Sequence, residues 1–89
     1  MNKTLDELRE EIDSLDHELL QILAKRMSAV KEIGDLKNVQ GLPVIDEKRY
    51  EEVVKAITEK AKSFHLSEDF IKKLFEAIHE HAVEIQKKV

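Results

Sequence analysis

The sequence predicts an all-α protein with three helices per chain, the first very long, joined as an intertwined helical homodimer. Three observations lead there. Apolar residues recur in alternating steps of three and four along three separate stretches, which lays a continuous stripe on each helix. The first stretch, Leu5 to Lys37, has no proline and only one glycine, Gly34, so nothing in it stops a helix. A helix of about 33 residues is about 50 Å long, whereas a compact domain of this size has a radius of gyration of about 13 Å. Its stripe must then project beyond its own core, and a second chain is the economical cover. Strand-like alternation, internal repeats and low-complexity segments are absent.

The first helix opens on Thr4-Leu5-Asp6-Glu7, which reads as a capping box: the Thr4 hydroxyl accepts from the Glu7 amide and Glu7 reaches back. Asp6 and Glu7 also suit the positive end of the helix dipole. Leu5, Leu8, Ile12, Leu15, Leu19 and Ile22 form the stripe. At the next step stands Arg26, a cation where a leucine is due. The stripe resumes through Ala29, Val30, Ile33 and Leu36, with Lys37 beside its end. Asn38 to Ile45 carries Gly41 and Pro43 and reads as a loop. Asp46 then caps a second helix whose buried face is Tyr50, Val53, Ile57, Ala61 and Phe64. His65-Leu66 closes it. Ser67 caps a third helix with the stripe Ile71, Leu74, Phe75, Ile78, Ala82 and Ile85, and Lys87-Lys88 suit its negative end.

A chain of 89 residues forms one domain, residues 1–89, and a small one that buries a modest share of its surface. It has no cysteine, which removes disulfide and thiolate chemistry and fits a reducing, cytoplasmic setting. No apolar run approaches ~18 residues, so no membrane span is expected, and the N-terminus lacks the apolar segment of a signal peptide. The formal net charge is −4, from 15 Lys+Arg against 19 Asp+Glu, and most cations alternate with acids along helical faces. That balance argues against nucleic acid and leaves a small anionic molecule open. With three residues after Gln86, no appended regulatory or second catalytic domain is expected.

The informative residues are polar ones on apolar faces. Arg26 and Lys37 share a helix face, about 20° off three full turns and about 16 Å apart along the axis. They either lean toward one anionic ligand, or snorkel, or pair with an acid of another helix. Arg9 lies about 100° and about 25 Å from Arg26 on the same helix, so within one chain the two cannot serve one small ligand. Across an antiparallel or intertwined dimer, Arg9 of one subunit can approach Arg26 of the other; alone, it would pair with Glu10 or Asp13. Arg49 has a simpler reading as a local ion pair with Asp46, and Gln86 as frayed surface. His79 and His81 are about 200° apart on a helix and cannot clamp one ion, and neither His17 nor His65 has a partner four residues away. No metal or cofactor is expected. The serines show no glycine-rich nucleophile elbow, and there is no Walker-type phosphate loop. What remains is a set of cations, an amide and a carboxylate. Such a set binds and polarises a carboxylated molecule and offers no evident base or nucleophile.

Leu8 to Asp16, Ala24-Lys25-Arg26, Ile33 to Lys37, Pro43 to Arg49 and Leu74-Phe75 to Gln86 together resemble the AroQ-type, all-helical chorismate mutases. The ordered set Arg9, Arg26, Lys37, Asp46, Arg49 and Gln86 is far more specific than any one member. The resemblance implies a homodimer with an active site at each end, built mostly by one subunit and completed by Arg9 of the other. It further implies that Arg26 and Arg9 hold the carboxylates of chorismate, that Lys37 and Gln86 donate to its ether oxygen, and that Asp46 and Arg49 complete the pocket. Two positions depart from the pattern. Many relatives place a glutamate for the substrate hydroxyl where this chain has Tyr50, and some place a serine where it has Ala82. The substrate therefore stays open between chorismate and two alternatives on the same fold. One is isochorismate cleaved by a pyruvate lyase; the other is 4-amino-4-deoxychorismate, rearranged by a mutase. A further alternative is a catalytically weak regulatory or interaction domain.

Overall fold

A computed structural model describes residues 2–89. It contains three helices, α1 (Leu5–Gln40), α2 (Glu47–Ser63) and α3 (Glu68–Lys87). All three N-caps are the residues expected from sequence. Thr4 Oγ1 accepts from the Glu7 amide at 3.1 Å, Asp46 Oδ1 from the Arg49 amide at 3.0 Å, and Ser67 Oγ from the Phe70 amide at 3.2 Å. The Glu7 carboxylate does not reach the Thr4 backbone as a full capping box requires; it accepts from the Thr4 hydroxyl at 3.1 Å instead.

Asn38, Val39 and Gln40 belong to α1, not to the loop expected from Asn38 onward. The reason lies in what ends the helix. Gly41 is the first residue that takes a left-handed conformation (φ 69°) without a Cβ clash, and the Leu42 amide then donates to the Lys37 carbonyl at 2.8 Å. The same closure ends α2 at a non-glycine residue. His65 sits at φ 58°, and the Leu66 amide donates to the Ala61 carbonyl at 2.9 Å.

Helix α3 is the central element. It packs on α1 and on α2, which do not approach each other. Arg26 of α1 lies over Phe75 of α3, and Gly34 of α1 meets Gln86 of α3, so these two helices run parallel. Tyr50 beside His79 and Lys62 beside Glu68 show α2 returning antiparallel to both. The result is a shallow trough with α3 as its floor and α1 and α2 as its walls. The Gly41–Asp46 connection closes one end.

The core is thin. Val30, Ala61, Ile71 and Ala82 are its buried apolar side chains. Phe64, expected on the buried face of α2, is 72% exposed, because the helix has already ended there and the ring points off its C-cap. Leu74, expected in the α3 stripe, is 40% exposed. The chain measures 58 × 24 × 15 Å with a radius of gyration of 16.6 Å, well above that of a compact globule. The excess is the N-terminal half of α1, where Leu5, Leu8, Ile12, Leu15 and Leu19 are all exposed. None of the helices is long and apolar enough to cross a membrane.

Candidate active site

The trough holds a cleft of about 350 Å³, at the lower end of the range for small-molecule sites. Arg26, Lys37, Asp46, Arg49, Tyr50, Ala82 and Gln86 all line it, from all three helices and the loop before α2. Arg9 does not. It is exposed on the projecting half of α1, as the helix geometry requires.

Lys37 is the best-fixed member. The Schellman closure at Gly41 folds the loop back over the end of α1, bringing the Val44 carbonyl within 2.7 Å of Lys37 Nζ. From the floor, Gln86 Oε1 accepts from the same nitrogen at 2.8 Å. Two of the three ammonium N–H groups are thereby engaged, and no carboxylate among the described residues neutralises the charge. Gln86 is thus not frayed surface. Its carbonyl is committed to Lys37, which fixes the amide orientation and leaves its NH2 group as a donor.

The contact between Lys37 and Gln86 depends on how closely α1 and α3 approach. Gly34, one turn before Lys37, is buried, and a Cβ built there would lie 2.7 Å from Val89 Cγ2, 3.1 Å from Gln86 Cα and 3.2 Å from Gln86 Cγ. The Val89 methyl can swing aside; the Gln86 backbone cannot. Gly34→Ala is expected to lose about 1–3 kcal/mol of stability by overpacking, read as a lower urea midpoint. It should also weaken turnover by pushing Gln86 from Lys37. An unchanged midpoint would mean that the helices separate freely.

Arg26 is half-buried, with its guanidinium 6.0 Å from the centre of the Phe75 ring. Its Nη1 is buried without a hydrogen-bond partner among the described residues, and no acid from another helix pairs with it. No ion pair within the chain therefore accounts for Arg26. A buried guanidinium nitrogen without an acceptor carries a desolvation cost that an anion in the cleft would offset. Arg49 is exposed at the rim, and its guanidinium lies 4.0 Å from Glu52 rather than against Asp46. Asp46 acts on Arg49 only through its backbone amide, as the α2 cap.

Phe75, Val44 and His79 line the cleft and were not singled out from sequence as site residues. Phe75, His79, Ala82 and Gln86 recur at helical spacing on the floor face of α3, so their common orientation was readable. The pairing of His79 with Tyr50 was not, because it depends on how α2 docks.

Comparison with known proteins agrees with this geometry. Residues 8–87 match the family model for chorismate mutase type II. The chain is 31% identical over 87 residues to a chorismate mutase of Methanocaldococcus jannaschii, covering 98% of this chain and 88% of that one. It is 36% identical over 76 residues to the bifunctional chorismate mutase/prephenate dehydratase of Escherichia coli K12, spanning 85% of this chain but only 20% of that longer protein. A solved chorismate mutase (form II) from Thermus thermophilus superposes with a TM-score of 0.89 at 32% identity, covering 96% of both chains. A cleft that joins a buried unpaired guanidinium to an ammonium held by an amide, on a three-helix chain matched almost end to end, places this protein in the chorismate mutase type II family.

Proposed function

We propose that the protein is a chorismate mutase, an isomerase that converts chorismate to prephenate by an intramolecular [3,3] rearrangement. The observation that carries this reading is the Lys37 ammonium, held by Val44 and Gln86 with its charge unneutralised. Chorismate has two carboxylates, a ring hydroxyl and an enol-ether oxygen. The rearrangement breaks the ether C–O bond as a C–C bond forms, with no proton transfer and no covalent intermediate. The reaction therefore requires no base, nucleophile or metal of the site.

Two physical effects remain for the protein to supply. One is positioning: the substrate must be held in its compact diaxial form, which brings the bonding carbons together. Arg26, aided by Arg49 at the rim, suits the carboxylates. The other is charge: negative charge builds on the ether oxygen as its bond lengthens, and preorganised donors stabilise it. The third N–H of Lys37 and the NH2 group of Gln86 suit that oxygen. Neither needs to reorganise during the reaction, since each already holds the other.

The assembly belongs to the same proposal. The exposed apolar row on the projecting half of α1 suits burial against a second copy, and Arg9 travels with it. An intertwined homodimer would bring Arg9 of the partner subunit to this cleft as the second carboxylate ligand. The absence of cysteine fits an enzyme of the cytoplasm.

Assay of the purified protein on chorismate and on isochorismate, in separate reactions, tests the reading. Prephenate from chorismate is the expected product. Salicylate and pyruvate from isochorismate, without prephenate, would instead assign a pyruvate lyase, the alternative raised by Tyr50.

A further inference from the structure

His79 brings an imidazole to the floor of the cleft, where it is half-buried. Its ring stacks on Tyr50 of the α2 wall, with centroids 3.9 Å apart and planes inclined by 23°. Two flat rings in such contact restrict each other's rotation, so the imidazole stays beside the space a ligand fills. Among the described residues no carboxylate pairs with it, whereas the exposed His81 lies 3.7 Å from Glu84. The rearrangement itself moves no proton and gives this imidazole no part.

The charge around the ring comes from every element packed on it. Helix α1 supplies Arg26 and Lys37; α2 and its cap supply Arg49 and the Asp46 carboxylate. Three cations against one acid leave the empty cleft positive, which opposes a further proton on His79. Arg9 of the partner subunit would add to that opposition. On the other side of Tyr50, a separate shallow groove holds Glu51 and Glu76 together with Lys55 and Lys72, charges that cancel in number. Glu76 is also a helical neighbour of His79, three residues before it on α3, and is exposed. A ligand with two carboxylates lowers the charge of the cleft by two, and the main opposition to the proton goes with it. A positive ring over the Tyr50 face is attracted by its π-cloud as well. Resting on the chorismate reading above, we propose that His79 takes up a proton from solvent as the dianionic substrate binds, and so becomes a further cation of the binding site. Because the bound state then holds more protons than the free one, binding strengthens as pH falls through the range where imidazole titrates. Ordinary arginine, lysine and carboxylate groups keep their charge across that range.

Calorimetric titration of the purified protein with prephenate, in buffers of different ionisation enthalpy, reads the protons taken up per site. Wild type should take up about 0.3 or more near pH 7, and bind about threefold or more tighter at pH 6 than at pH 8. His79→Phe keeps a ring to stack on Tyr50 and cannot titrate; His79→Asn keeps a polar side chain without the charge. Each should lose the uptake and flatten the pH dependence, with helical circular dichroism checking the fold. His17, His65 and His81 are exposed, stand outside the cleft and remain in both variants, so the difference from wild type isolates His79. Uptake and pH dependence equal to wild type in either folded variant, or no uptake by wild type, would overturn the inference. If wild type binds prephenate with uptake but leaves chorismate unchanged, the chorismate reading falls and the proton linkage stands. Failure to bind prephenate at all overturns both.

Discussion

Lys37→Ala lowers kcat for chorismate by about 10²–10³-fold, the usual effect of removing one preorganised donor to a developing oxyanion. The size follows from how the ammonium is held. Its two protein contacts at 2.7 and 2.8 Å leave it aimed and charged before substrate arrives, so nothing in the site replaces it when it is removed. Water admitted in its place must reorient during the reaction, which is the cost that preorganisation avoids. Because the effect belongs to the transition state, kcat should fall far more than KM rises. The apolar row on the projecting half of α1 is distant from Lys37, so helical circular dichroism and the sedimenting mass should stay as in wild type. Turnover near wild type in a folded Lys37→Ala protein would remove the mechanism.

Arg9→Ala and Lys37→Ala, each nearly inactive alone, should restore activity when mixed, unfolded and refolded together. In a two-fold dimer with Arg9 reaching across, each mixed dimer has one site with both residues intact and one with neither. Random pairing makes half of the dimers mixed, so about a quarter of all sites regain full function. Steady-state turnover of the refolded mixture, against each variant refolded alone, is the measurement. Activity no higher than the mean of the two parents would mean that Arg9 acts within its own chain or not at all. The α1 geometry already opposes the first, since Arg9 lies about 25 Å along the helix from Arg26.

The elements were legible in the sequence because they are local. Thr4, Asp46 and Ser67 cap helices wherever the rest of the chain goes, and alternating threes and fours mark each apolar face. Arg26 stood out for the same reason, as a polar residue at a position the period assigns to the core, and Lys37 as a second cation on the same face beside the stripe's end. What periodicity cannot show is which face meets which. All three helices carry stripes, so nothing local identified α3 as the shared floor, and nothing identified His79 as the neighbour of Tyr50. Phe64 failed for a related reason: it continues the α2 spacing, but the backbone leaves the helix one residue earlier, and a periodic rule applied past a C-cap points nowhere. The alternatives for Arg26 also needed tertiary structure, because only the docked helices show that no acid among the described residues of its own chain meets its guanidinium.

The thin core has a thermodynamic consequence. With Val30, Ala61, Ile71 and Ala82 as its buried apolar side chains, one chain removes little oily surface from water. If a second copy covers the rest, folding and association become a single equilibrium, and mass action enters the stability of the fold itself. The fraction of active protein then depends on how much of it the cell makes, and simple dilution acts as a denaturant.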